Sequence, residues 1–301
     1  MMNQYLIFAF LVLGFVSCKN EHADQSVSDG IVLLEKEYAK TKTDSTFNKL
    51  IQAIGKAVVD SENAQQKEKL LNKAIQLCSS PEKQNLVPIF QTELLKVNPD
   101  SPTAKDILWQ LATSVMDKGN KESASILYSG YKSRYPNDEH VSEAEKYIIP
   151  TQNKMDEYFK SAAQDIFESP GENGINEQST SLYIDMCESY ALAFPKDTQT
   201  PEYLFRAAEM ARALRSYPKM MSLYDWIYSY FPKYEKAPLA LFLKGFAMDS
   251  EFKRPAEAKL LYEKFLLNHP QDSLAKDVRF LLNNLGKSDE EILKEMQKNQ
   301  K

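Results

Sequence analysis

The side chains best equipped for chemistry are scarce. The chain has three cysteines, Cys18, Cys78 and Cys187, and three histidines, His22, His140 and His269. Zinc or thiol chemistry needs several such groups brought together. His140 comes nearest, in the run Asp138-Glu139-His140 with Glu143 and Glu145 following. Adjacent ligands are not converging ones, so the run reads as an acidic helix start. Cys78 and Cys187 fall on apolar helical faces 109 residues apart and read as buried thiols. A disulfide is the alternative that an oxidising compartment would permit. No Gly-x-x-x-x-Gly-Lys, Gly-x-Ser-x-Gly, His-Glu-x-x-His or Cys-x-x-Cys occurs. Acidic pairs such as Glu290-Glu291 read as solvated helix starts. The expectation is a protein that is not an enzyme and holds no cofactor or metal.

Composition points the same way. Only 9 of 301 residues are glycine, fewer than turn-rich β folds and glycine-loop nucleotide folds use. Apolar residues make up 43% and charged residues 26%, enough for a core and too apolar for general disorder. The net charge is −5 with no compensating basic stripe, which argues against a nucleic-acid partner.

Cys18 is different, because of what precedes it. Residues 5–16 are almost wholly apolar, twelve in a row with one glycine. A bilayer span needs about 20, so this segment reads as the core of a signal peptide. It ends in Phe15-Val16-Ser17-Cys18, followed by polar residues. That sequence resembles the lipobox of bacterial lipoproteins. The resemblance implies cleavage after residue 17 and acylation of Cys18, anchoring the chain to a membrane. Residues 18–29 then read as lipidated cysteine and flexible tether, reaching about 35–40 Å.

The elements that follow are spaced by prolines. A large residue stands before Pro136, Pro195, Pro232 and Pro270, and a weaker copy ends at Pro99. The successive intervals are 37, 59, 37 and 38 residues. Proline lacks an N–H and disfavours helix in the residue before it, so each marks a helix stop. Pro201 and Pro238 lie six residues beyond a stop, where a first helical turn tolerates proline. A first helix carries Leu108, Leu111, Ala112 and Val115 in one unit, Leu204, Ala207, Ala208 and Ala211 in another, and Leu241, Gly245 and Met248 in a third. These spacings are helical. Ala112, Ala208 and Gly245 recur where two helices must approach closely. A second helix carries Ala124, Met220 or Ala258, with Tyr128, Tyr224 or Tyr262 four residues on. The long interval contains the turn-rich stretch 169–176. An inserted loop there plus extended helices accounts for the extra 22 residues.

This pattern resembles the tetratricopeptide repeat, over about residues 101–286. With its bulkier Tyr131, Tyr190, Ile227 and Phe265 it is similar to the envelope subgroup, the BamD-like assembly lipoproteins and the Tol-associated periplasmic repeat proteins. The resemblance implies an all-α fold, an α-solenoid of tetratricopeptide-like helix–turn–helix pairs. It also implies that the first helix of each pair lines a groove. The residues just after the first large apolar position are then Trp109, Phe205 and Phe242, which stand 27, 27 and 28 residues before the next stop proline. The same register adds Met116, Glu209, Arg212 and Phe246. An apolar groove of this kind accepts a partner segment. The alternative is that the same rings are ordinary core between helices.

The organisation expected is a signal peptide at 1–17, anchor and tether at 18–29, and weakly repeat-like helical pairs over 30–99. Repeats follow over 100–286, then a polar terminal helix and tail at 287–301. Helices are expected at 30–40, 44–59, 63–78 and 82–97 in the N-terminal part. The function implied is a lipid-anchored scaffold for protein–protein interactions in the outer membrane or periplasm of a Gram-negative envelope. Its partners would be envelope or outer-membrane proteins. A lipoprotein that binds a carbohydrate or peptide on the same scaffold is the alternative.

Overall fold

The computed structural model describes residues 21–61, 63–149, 155–171, 174–287 and 290–291, with side chains from residue 29 on. The signal segment 1–17, Cys18 and most of the expected terminal helix lie outside the described residues. The fold is all-α and solenoid-like, with no strand among the described residues. The helices are α1 Glu21–Thr41, α2 Asp44–Asp60, α3 Ala64–Leu77, α4 Val87–Val97, α5 Ala104–Asp117, α6 Lys121–Arg134, α7 Val141–Ala144, α8 Met155–Asp165, α9 Glu177–Ala193, α10 Thr200–Ala213, α11 Tyr217–Tyr230, α12 Ala237–Ser250, α13 Pro255–Asn268 and α14 Ala275–Asn284. Two compact units divide them, Met1–Ser222 and Leu223–Lys301. Among the described residues no helix is long and apolar enough to cross a membrane.

Within the first unit each of α1 to α5 packs on the helix that follows it, and α9 packs on α10. In the second unit α12 packs on α13 and α13 on α14. The N-terminal helices start and stop close to where the spacing predicts, with two differences. α1 begins at Glu21, inside the stretch 18–29 read as a tether. α4 begins at Val87 rather than 82, because Pro88 fits only a first turn, and a 3-10 turn at Gln84–Leu86 leads into it. Side-chain caps set other starts: the Thr43, Asn63, Asn120 and Asn176 side chains accept amide hydrogens from the first turns of α2, α3, α6 and α9.

The stop prolines generate one repeated connector. The residue before each proline is Asn98, Tyr135, Phe194, Phe231 or His269. Its carbonyl accepts from the amide of Ser101, Asp138, Asp197, Tyr234 or Asp272 respectively. The carbonyls of those residues accept in turn from Ala104, Val141, Thr200, Ala237 and Ala275. These are the first residues of α5, α7, α10, α12 and α14. Five helices therefore begin five residues after a stop proline. Pro201 and Pro238 sit in first turns, and so does Pro255.

The repeat core is assembled from the positions the spacing singles out. Ala112, Ala208, Ala124, Met220 and Ala258 are buried, as are Tyr128, Tyr224 and Tyr262. The bulky set Tyr131, Tyr190, Ile227 and Phe265 is buried too. Gly245 is where two helices touch: a Cβ there would stand 2.9 Å from Tyr262 Cε1. Cys78 and Cys187 are buried free thiols, so no disulfide joins them. Burial pushes the Cys78 thiol up to about 11 and that of Cys187 well above its ordinary value, leaving both unreactive.

The 59-residue interval is filled differently from the expectation. The turn does form, with Ser169 and Gly174 at positive φ and the Gly171 amide donating to the Ile175 carbonyl at 2.9 Å. The helices, however, are hardly extended: α6 has 14 residues and α9 has 17. The extra length lies in an added helix, α8, of 11 residues and in the segments on either side of it, while the unit's first helix is stunted. α5, α10 and α12 each run 14 residues, whereas α7 runs four and ends in the 3-10 turn Glu145–Tyr147. Pro150 in the sequence bars helix at Ile149. α8 then packs on α9, its Phe159 ring 4.2 Å from that of Tyr203 on α10. With the full-length first helix missing from this place, α9 packs directly along α6.

Candidate functional site

Trp109 and Met116 lie on α5, Phe205, Glu209 and Arg212 on α10, and Phe242 and Phe246 on α12. The first two groups belong to one unit and the third to the other. Phe205 and Met116 are half-buried. Glu209 and Arg212 pair with each other at 3.0 Å. The Phe242 ring packs on Phe246 and Phe265, with centroids 6.0 and 6.5 Å away, and Phe246 stays 40% exposed.

The connector geometry extends this set. Trp109, Phe205 and Phe242 each stand ten residues after a stop proline, and so does Phe280, on α14. Phe280 is 45% exposed. Counting back from a following proline misses it, because no stop proline follows α14. Counting forward finds it. The same count after Pro136 lands on Lys146, in the stunted helix.

Trp109 has the most elaborate surroundings. Its ring lies 5.3 Å from Tyr128, 5.2 Å from Tyr131 and 4.7 Å from His140. Tyr128 stacks in turn on Tyr147, 5.0 Å away, and shares a 3.2 Å hydrogen bond with Thr113. Asp138 is the polar centre. Its carboxylate accepts from Lys105 Nζ at 2.6 Å, Tyr131 Oη at 2.5 Å and the His140 amide at 3.0 Å, and it also contacts His140 Nδ1 at 3.0 Å. Lys105 first, then Tyr131 and the His140 amide, hold this carboxyl well below the usual carboxylate range. His140 is thus engaged by a carboxylate and a tilted indole ring. Among the described residues no His, Cys, Asp or Glu group is arranged to hold a metal ion.

Two clefts open in the first unit. One, of about 410 Å³, runs along α5 and is lined by Trp109, Thr113, Ser114 and Asp117 among others. The other, of about 490 Å³, opens where the C-terminal ends of α4, α6 and α9 converge, with Tyr135, Phe194, Lys105 and Arg134 in its walls. Arg134 bridges these ends, donating to the carbonyls of Pro99 and Leu192. Asp100 and Lys196 pair across them at 2.7 Å. Arg134 does not stand out in the sequence, and Asp138 does so only as part of an acidic helix start, since each acts through contacts made across helix ends and turns.

A third polar group ties α9 to its neighbours. Asn120, already capping α6, donates to Asp185 at 3.1 Å, and Lys219 pairs with Glu188 at 2.8 Å. Desolvation, and then the Glu188 charge, push the Asp185 carboxyl up to about 6.

No protein-family model matches the chain, and no curated protein matches it in sequence.

Proposed function

We propose that this protein is a lipid-anchored, tetratricopeptide-like scaffold for protein–protein interactions in a bacterial envelope, serving outer-membrane assembly or envelope maintenance. It acts by binding and not by catalysis. The observation that carries the reading is the ten-residue register, which puts an aromatic ring at one position of four separate helices, half-buried at Trp109, Phe205 and Phe242 and exposed at Phe280, with Phe246 exposed one turn beyond Phe242. Aromatics that keep part of their surface open at a fixed position are what an interaction surface uses. The sequence ending in Cys18 supplies the anchor. Confinement at a membrane raises the effective concentration for other membrane-held partners.

In-cell crosslinking with identification of the bound chains tests this. Recovery of outer-membrane barrel machinery, lost in a Phe242→Ala/Phe246→Ala/Phe280→Ala variant that stays folded, is expected. Recovery of the protein alone overturns it. Cys18→Ala should abolish acyl labelling and release the chain from membranes.

The cleft walled by Tyr135 and Phe194 favours a second reading, a lipoprotein that binds a carbohydrate or short peptide. Thermal shift by glycans or peptides, removed by Tyr135→Ala, with no protein captured, would establish it.

A further inference from the structure

The stunted helix shows what its own docking surface accepts. We infer that Lys105, Trp109, Tyr128 and Tyr131 form a site for a short segment of a partner protein, one with a carboxylate two residues before a flat ring, and that residues 138–149 occupy that site in its absence. The inference rests on reading Trp109 as a docking residue.

The occupant chemistry is read from the chain itself. Asp138 places its carboxylate between Lys105 Nζ and Tyr131 Oη. Two residues on, His140 sets its ring against Trp109, tilted by 40°, and Tyr147 stacks a second ring on Tyr128. Ile149 ends the run by donating its amide to Ser125 Oγ at 2.7 Å. The site stabilises a negative charge, as the depressed Asp138 carboxyl indicates. An acidic–x–aromatic segment from elsewhere meets the same donors and the same rings.

The cover is built to be displaced. α10, the full-length counterpart, buries Leu204, Ala207, Ala208 and Ala211. In the cover only Ala144 is buried, and Tyr147 is 38% exposed. A four-residue helix has no stability of its own. Beyond the connector's own backbone bonds at Asp138 and Val141, its hold comes from polar contacts and ring faces that a competitor can supply. The cleft along α5 is walled in part by Trp109, which keeps some of its surface open to an incoming chain.

Two measurements on the full chain decide it. Native-state hydrogen exchange should show amides 141–149 opening at least a hundredfold more often than those of α5 and α6. Protection equal to that of α5 and α6 overturns the proposal. Second, an amidated peptide of residues 136–149 is titrated into an Asp138→Ala/His140→Ala variant, read by the fluorescence that Trp109→Phe removes. Saturable binding is expected, at least tenfold weaker with Lys105→Ala added and absent with a scrambled peptide. A folded variant that shows no saturable change overturns the proposal. If the variant does not fold, the exchange result on the unaltered chain decides alone. These outcomes are separable from those of the scaffold reading. A rigid cover leaves the surface at Phe246 and Phe280 intact, and a peptide that binds says nothing of barrel machinery.

Discussion

Gly130 of α6 and Ala193 of α9 meet backbone to backbone. A Cβ on Gly130 would stand 2.7 Å from Ala193 Cα and 2.9 Å from its carbonyl oxygen. Neither the main chain of α9 nor that of α6 can give way cheaply. Gly130→Ala should therefore destabilise the protein, by about 1–3 kcal/mol as overpacking usually does. Gly55, in α2, has nothing within 4 Å of its would-be Cβ. Gly55→Ala should stabilise by about 0.5–1 kcal/mol through helix propensity. Urea unfolding of the pair checks both signs, and equal effects would refute the close contact.

Arg134 should resist conservative replacement. One planar guanidinium reaches the carbonyls of both Pro99 and Leu192, which a single ammonium does not match in geometry. Arg134→Lys and Arg134→Ala should each cost about 1.5–3 kcal/mol, the range for hydrogen bonds that involve a charged group. A lysine variant with unchanged melting temperature would contradict this.

Asp185 predicts an acid-side gain in stability. Its folded pKa of about 6 lies above the ordinary carboxylate value, so the folded chain binds this proton more tightly than the unfolded chain. The contribution is fully present below about pH 4 and is lost as the pH rises through about 6. Asp185→Asn should flatten the stability profile across that window and raise stability at pH 7. An NMR titration placing the carboxyl near 4 would remove the basis for this.

Asn176 holds the start of α9. Its side chain accepts from the Ser179 amide at 3.0 Å while its own amide donates to Ile166 at 2.7 Å. Asn176→Ala should cost about 1 kcal/mol, the usual loss for an N-cap. Asn176→Asp should restore most of it, and equal losses for both would argue against capping.

Much of the repeat core was legible because it rests on local rules. A proline stop, a small residue at a close contact and a tyrosine four residues after a small one each imply their surroundings. That is why Ala112, Ala208, Gly245, Tyr128, Tyr224 and Tyr262 sit buried as their spacing suggests. The interval ending at Pro195 was less legible. The turn near Gly174 is a strong local signal, whereas Pro150, only nine residues after α7 begins, is a weak one. The site around Trp109 was legible only in pieces, with Trp109 as a groove ring, Tyr128 and Tyr131 as repeat positions and Asp138 and His140 as an acidic helix start. Lys105, Asp138 and Tyr131 come together through the connector and the α5–α6 packing, which periodicity does not encode. The rings at Trp109, Phe205 and Phe242 were identified by register, and Phe280 needed the same register counted from the other end.

The connector after each stop proline has a consequence for how such a chain can change length. Each joint is closed by hydrogen bonds within seven residues, from the one before the proline to the first of the next helix, and the bonding pattern is the same at all five places. Excising or copying the stretch between two prolines, such as residues 196–232, splices one joint onto an equivalent one. Gain or loss of a whole 37-residue module is then a smaller perturbation than removing a few residues inside a helix, and the chain's history is expected to run in such steps.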